Sequence, residues 1–260
     1  MKLFRRILVT ATLTLLVIFT VVRWGMNVAL THWAVRKTPP VAWVVPVDLS
    51  DRRISQESGR RLSYLGCVFE VPWNDLDESK TELYPKDKPL KTMVILTFRS
   101  GLRLSMTAFP VGEPAKLFAA DFKLSPGQFE QFVGHEAAKS DYVFWRNLYE
   151  FTPDKMHSWS WSSAVHAHEL IELMLKSIAP AKSAETGIFN IQKDAFRGFQ
   201  QGNPQAHPDR LLITFYSEDG DVEITLWQNS YGVKVTQPDV NRIVQSVHRT
   251  PPSEAEIATN

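Results

Sequence analysis

The chain has 260 residues, 44% of them hydrophobic and 11% aromatic, with a formal net charge of +1. That balance is too apolar for a disordered chain and too nearly neutral for nucleic acid as an obligate partner. A single cysteine, Cys67, excludes an internal disulfide, so stability has to come from packing.

Lys2, Arg5 and Arg6 lead into Ile7 to Val22, a run of 16 residues without a charge. As a helix it rises about 24 Å, a little short of the roughly 30 Å of bilayer hydrocarbon. Leu3 and Phe4 extend the apolar run, Arg6 and Arg23 can snorkel, and Trp24 suits the interface, so a spanning helix is feasible. The alternative of a cleaved signal peptide shares the basic start, but Thr20 to Arg23 offers no small-x-small cleavage pair. A buried core helix is disfavoured because Ile7 to Val22 has no polar stripe. The sequence therefore predicts a leader and transmembrane anchor over 1–24, held in the lipid bilayer through Ile7 to Val22. Basic residues flank both ends; a short leader ahead of a large body favours the amino terminus inside and the body extracytoplasmic.

Thr38-Pro39-Pro40 and Pro46 resist helix and central strand, so 25–63 is expected to be a juxtamembrane tether, with Arg52, Arg53, Arg60 and Arg61 as a solvated face. Leu65, Cys67, Phe69 and Val71 alternate as in a half-buried strand, closed by Pro72-Trp73, and Cys67 is expected to be buried on it. Leu65-Gly66-Cys67 resembles a lipoprotein attachment box, but lies too far from the apolar leader to serve as one. Asn74 to Pro89 is expected to be an exposed loop, whose acids lack the spacing of a calcium loop. Thr92 to Arg99 and Leu102 to Phe109 flank Ser100-Gly101 as a hairpin.

Ser125-Pro126-Gly127-Gln128 announces a helix burying Phe129, Phe132, Val133 and Ala137. Asp141 caps a second, reaching about Phe151, with Tyr142, Trp145, Leu148 and Tyr149 on one face. So dense an aromatic cluster could line a ligand pocket, although core packing is the default. Ser162 to Ile178 reads as a third helix with Ala164, Ala167, Leu170, Ile171, Met174, Leu175 and Ile178 buried. Ala179 to Gly187 is a connector that could divide the body into two halves near 180–187. Short strands surround Lys193-Asp194, and Leu211 to Tyr216 and Val222 to Gln228 form a second hairpin around Glu218 to Asp221. Pro238-Asp239 opens a closing helix, and 251–260 is expected to be a frayed tail. This order predicts an α+β fold over 64–250, with a mainly antiparallel sheet and packed helices behind the transmembrane helix.

The course from Phe69-Glu70-Val71-Pro72-Trp73 through the hairpins to the closing helix Pro238 to His248 resembles PsbP-like extracytoplasmic domains. That resemblance implies a small accessory or binding domain and supplies no functional residue.

One local pattern carries chemistry. His168-Glu169-Leu170-Ile171-Glu172 puts His168 and Glu172 four apart on a helix, able to share a metal, with Glu169 in the place of a metalloprotease base. The zincin pattern wants histidine where this chain has Glu172, and a third ligand would have to come from His157, His166 or His207. The bland reading sets Glu169, Glu172 and Lys176 on the solvated side of a surface helix, with Glu172 paired to Lys176. No G-x-S-x-G elbow, phosphate loop or dinucleotide fingerprint is present, and Ser158 to Ser163 lacks the glycines that expose a nucleophile. The expectation is a non-catalytic, cofactor-free module that binds a ligand or a membrane or envelope protein. A membrane-tethered metal-dependent hydrolase is the competing class.

Overall fold

The computed structural model describes residues 2–57, 59–88, 92–112, 116, 119–120, 123–157, 163–228 and 233–250, without the side chains of 2–11, 163, 164 and 166. The helices described are α1 (Lys2–Lys37), α2 (Pro126–Val133), α3 (His135–Lys139), α4 (Asp141–Glu150), α5 (Ser163–Ile178) and α6 (Gln237–Ser246). The strands are β1 (Pro46–Asp48), β2 (Arg60–Tyr64), β3 (Cys67–Val71), β4 (Glu82–Tyr84), β5 (Met93–Thr97) and β6 (Arg103–Phe109). They continue with β7 (Ile188–Lys193), β8 (Phe196–Gln201), β9 (Arg210–Tyr216), β10 (Asp221–Trp227) and β11 (His248–Arg249). The chain forms two units: Met1–Trp43 with Phe151–Ala179, and Val44–Glu150 with Pro180–Asn260. It thus leaves the larger unit after Glu150 and re-enters at Pro180, which differs from a division into consecutive halves.

In the smaller unit α1 runs on past Trp24 to Lys37, so the first part of the expected tether is helical. No proline interrupts 25–37, and Pro39-Pro40 then stops the helix and opens a 3-10 turn, Pro40–Trp43. Thr12–Lys37 is long and apolar enough to cross a membrane, with none of its most apolar stretch buried. Ala34, Val35 and Ala42 pack with Met156, Leu170 and Leu173, joining α5 to the end of α1.

The larger unit is built on an eight-stranded sheet of order β1-β7-β8-β9-β10-β6-β5-β4, in which β1 and β7 run parallel and every other pair is antiparallel. Both expected hairpins form. Phe98 N donates to the Leu102 carbonyl across Ser100-Gly101, and the Ser217 hydroxyl donates to the Gly220 carbonyl at the β9–β10 turn. Strand alternation gives the sheet two unlike faces. On one, Met106 of β6, Ile224 of β10 and Ile213 of β9 stand side by side in register, each 0% exposed. A three-stranded sheet, β11-β3-β2, and α6 belong to the same core through Cys67, Phe69, Val240 and Ile243. Cys67 is buried as expected, and burial pushes its thiol pKa up. A Cβ at Gly198 in β8 would collide with the Thr214 carbonyl oxygen on β9, so that position takes glycine.

Several expectations are corrected. Pro46 opens an edge strand, where a missing N–H costs nothing, and β2 takes up the end of the predicted tether. The predicted loop after Asn74 contains β4 and the Leu76–Phe98 bridge. The Ser125 capping box is present, with bonds of 2.9 and 3.3 Å, but Gly134 at φ 88° breaks that helix into α2 and α3. The closing helix ends at Ser246, and His248 goes instead into β11 beside Val68. Trp159, Trp161, the serine run from 158 to 162 and the tail from 251 lie outside the described residues.

The second face of the large sheet carries polar groups under α4. Tyr142 stacks on Phe199 at 5.5 Å, and Tyr149 meets the same ring edge-on at 5.0 Å. Beside them Asp221, 2% exposed, hydrogen-bonds Asp141 at the start of α4. Burial first, then that bond and the Asp141 charge, raise the Asp221 pKa to about 8 against the weaker pull of Arg249. The folded chain therefore holds a proton that the unfolded chain has released between the ordinary carboxylate pKa and about 8, so stability falls as pH rises through that window. The slope is at most about 1.4 kcal/mol per pH unit. In urea unfolding from pH 5 to 8, Asp221→Asn is expected to flatten this decline and to be the more stable form at pH 8.

Candidate functional site

An open cleft of about 670 Å³ lies in the larger unit where β1 and β7 part. β1 covers only Ile188, Phe189 and Asn190 of β7, because the chain after Asp48 turns off toward α6. Asn241 on α6 fixes that turn, its Nδ2 donating to the carbonyls of Asp51 at 2.8 Å and Arg53 at 2.7 Å. Loss of the ladder beyond Asn190 leaves the opening, walled on the other side by Tyr142, Arg146 and Glu150 of α4.

Charge dominates the lining, with Arg52, Arg146 and Arg197 facing Asp48, Asp51 and Glu150. The carboxylates are engaged. Asp48 accepts from Asn190 Nδ2 at 2.9 Å, and Asp51 takes a forked pair from Arg53 at 2.9 and 2.7 Å. Those Arg53 bonds hold the Asp51 pKa at about 2, so it is ionised and neutralised at any physiological pH. Glu150 is 3.9 Å from Arg146 Nε, beyond hydrogen-bond range. The guanidinium groups of Arg146 and Arg197 each lie 5.8 Å from the centroid of the Tyr142 ring, which Phe199 supports by stacking.

The predicted metal residues occupy the smaller unit and only partly meet. His168 Nε2 and Glu172 Oε1 pair at 3.3 Å. Glu169 does not join them; it is 6% exposed and accepts from His157 N at 2.9 Å, with His157 Nδ1 at 2.5 Å from its other oxygen. His207 is in the larger unit, and the His166 side chain lies outside the described residues. Among the described residues no three His, Cys, Asp or Glu side chains gather as a metal site. The solvated-side reading fails for two of its three residues: Glu169 and Lys176 are buried, while Ile171, Met174 and Ile178 are 40%, 47% and 64% exposed. The chain from Phe151 to His157 folds against the α5 side that carries Leu173 and Glu169, which reverses the covering expected of a surface helix.

None of the three cleft arginines is marked by a local motif, since 52, 146 and 197 are brought together only by the fold. Tyr142, read as part of an aromatic cluster suited to a pocket, is the one signal legible beforehand. Comparison with known protein families, with curated proteins and with solved structures finds no match to this chain.

With Glu169 held by His157, adding zinc to the metal-free protein is expected to leave its thermal midpoint unchanged. A rise that His168→Ala abolishes would restore the hydrolase reading.

Proposed function

We propose that this is a single-pass, membrane-anchored protein whose α+β unit serves as a non-catalytic binding or accessory module on the extracytoplasmic side. The observation that carries this reading is the surface of α1. Leu13, Leu15, Leu16 and Phe19 are 57%, 68%, 61% and 64% exposed, as are apolar neighbours as far as Trp33 at 63%. In water each large side chain left exposed forgoes about 1.5–3 kcal/mol of burial, whereas lipid supplies that burial. The described stretch from Thr12 to Lys37 has 26 residues and rises about 39 Å, more than the hydrocarbon needs.

The exposed stripe Ala167, Ile171, Met174 and Ile178 on α5 supports membrane proximity. It borders the Leu170 side that packs with Ala34 and Val35 of α1. The resemblance to PsbP-like domains points the same way, since such domains act as accessories outside the cytoplasm. Among its described residues the larger unit contributes a polar cleft instead of an array of nucleophile, base and orienting group, which favours binding over catalysis.

Alkaline carbonate extraction of cell membranes tests the anchor. The protein is expected to stay in the pellet. Leu16→Arg combined with Phe19→Arg, costing about 2.5–3.5 kcal/mol per charge at a helix centre, is expected to move it to the supernatant. Unaltered protein in the supernatant would refute the anchor.

A further inference from the structure

We propose that the cleft at the parting of β1 and β7 binds a small oxyanion-bearing ligand, phosphorylated or polycarboxylated, through the guanidinium groups of Arg52, Arg146 and Arg197. The inference rests on reading the larger unit as a binding module and names the chemistry of what it binds.

Place comes first. A volume of about 670 Å³ falls within the range of small-molecule sites. The cleft opens beyond the carboxyl ends of the one parallel strand pair in the sheet, where the chain leaves β1 for α6 while α4 forms the opposite wall. Ends of neighbouring parallel strands whose connections diverge leave a crevice that the ladder cannot fill.

Charge comes second. Each guanidinium carries five N–H donors in a planar fork suited to carboxylate or phosphate oxygens. Among the described residues Arg52 and Arg197 have no carboxylate within 4.0 Å, and Arg146 Nε is buried without a hydrogen-bond partner. Of the acids in the lining, Asp51 is neutralised by Arg53, Asp48 accepts from Asn190, and Glu150 forms a loose ion pair with Arg146 at 3.9 Å that leaves Nε without an acceptor. Tyr142 holds the guanidiniums of Arg146 and Arg197 at the same ring, each 5.8 Å from its centroid, and Phe199 fixes that ring. Two cations thereby border one ring with donors to spare, and an oxyanion in the cleft supplies the missing acceptors.

Titration calorimetry on the full-length protein in a non-ionic detergent tests this, with pyrophosphate and citrate as probes and sodium chloride at matched ionic strength as control. At least one polyanion is expected to bind, with affinity falling about tenfold or more in Arg197→Gln and in Arg146→Gln. Arg61→Gln, outside the cleft, should bind as the unaltered protein does. Binding of pyrophosphate alone assigns a phosphoryl ligand, and of citrate alone a polycarboxylate. Arg197 is exposed, so its variant keeps the test decisive should Arg146→Gln misfold. No heat with either probe, heat matched by chloride, or binding that survives both substitutions would overturn the proposal. The measurement is made without a membrane, so a failure here leaves the anchor standing and a failure of the anchor leaves this result standing.

Discussion

The eight-stranded sheet must cover two faces, and the alternation of side chains along β9 and β10 decides how. Leu211, Ile213 and Phe215 opposite Val222, Ile224 and Leu226 make one face dry, and they share a core with α6 and the small sheet. A slip of one residue would move Thr214, Glu223 and Thr225 from the polar face into that apolar core, so the register is fixed by the cost of setting their polar groups among apolar side chains. The same register sends Tyr216 and Asp221 to the other face, where they meet Tyr142, Tyr149 and Asp141 of α4. The polar side of the fold, including the cleft, is a consequence of the dry side.

That dependence explains why the cleft sits at β1. Only three residues of this edge strand pair, beginning at a proline that cannot donate, and among the described residues no further strand closes the gap. α4 and the segment after Asp48 then stand on either side of an unfinished edge. A feature that weakens the sheet locally thus leaves an open polar cleft, in keeping with the general placement of sites where a regular scaffold stops.

Elements written in local chemistry were legible in the sequence. Ser100-Gly101 and the turn before Asp221 specify hairpins through their own backbone preferences, and Ser125 with Gln128 specifies a helix start. Elements that depend on distant partners were not. β1 exists because Ile188 to Asn190 offers it an edge, and β2 because Val71, Glu70 and Phe69 pair with an arginine-rich stretch that reads alone as linker. For α5 the periodicity located the helix and misled about its covering. An apolar stripe marks a surface that avoids water, and whether protein or lipid supplies the cover is not written in its spacing. The cleft was least legible, because Arg52, Arg146 and Arg197 are far apart in the chain and only the fold brings them to one opening.

The central claim is that α1 holds the protein in a membrane with the larger unit outside the cytoplasm. Glu218 is exposed at the β9–β10 turn, whereas the native Cys67 is 0% exposed and shielded from reagent. Labelling Glu218→Cys in intact cells with a membrane-impermeant maleimide therefore reads the position of the unit directly. Modification of intact cells is predicted, with the unsubstituted protein unlabelled; modification only after the membrane is opened would contradict the assignment.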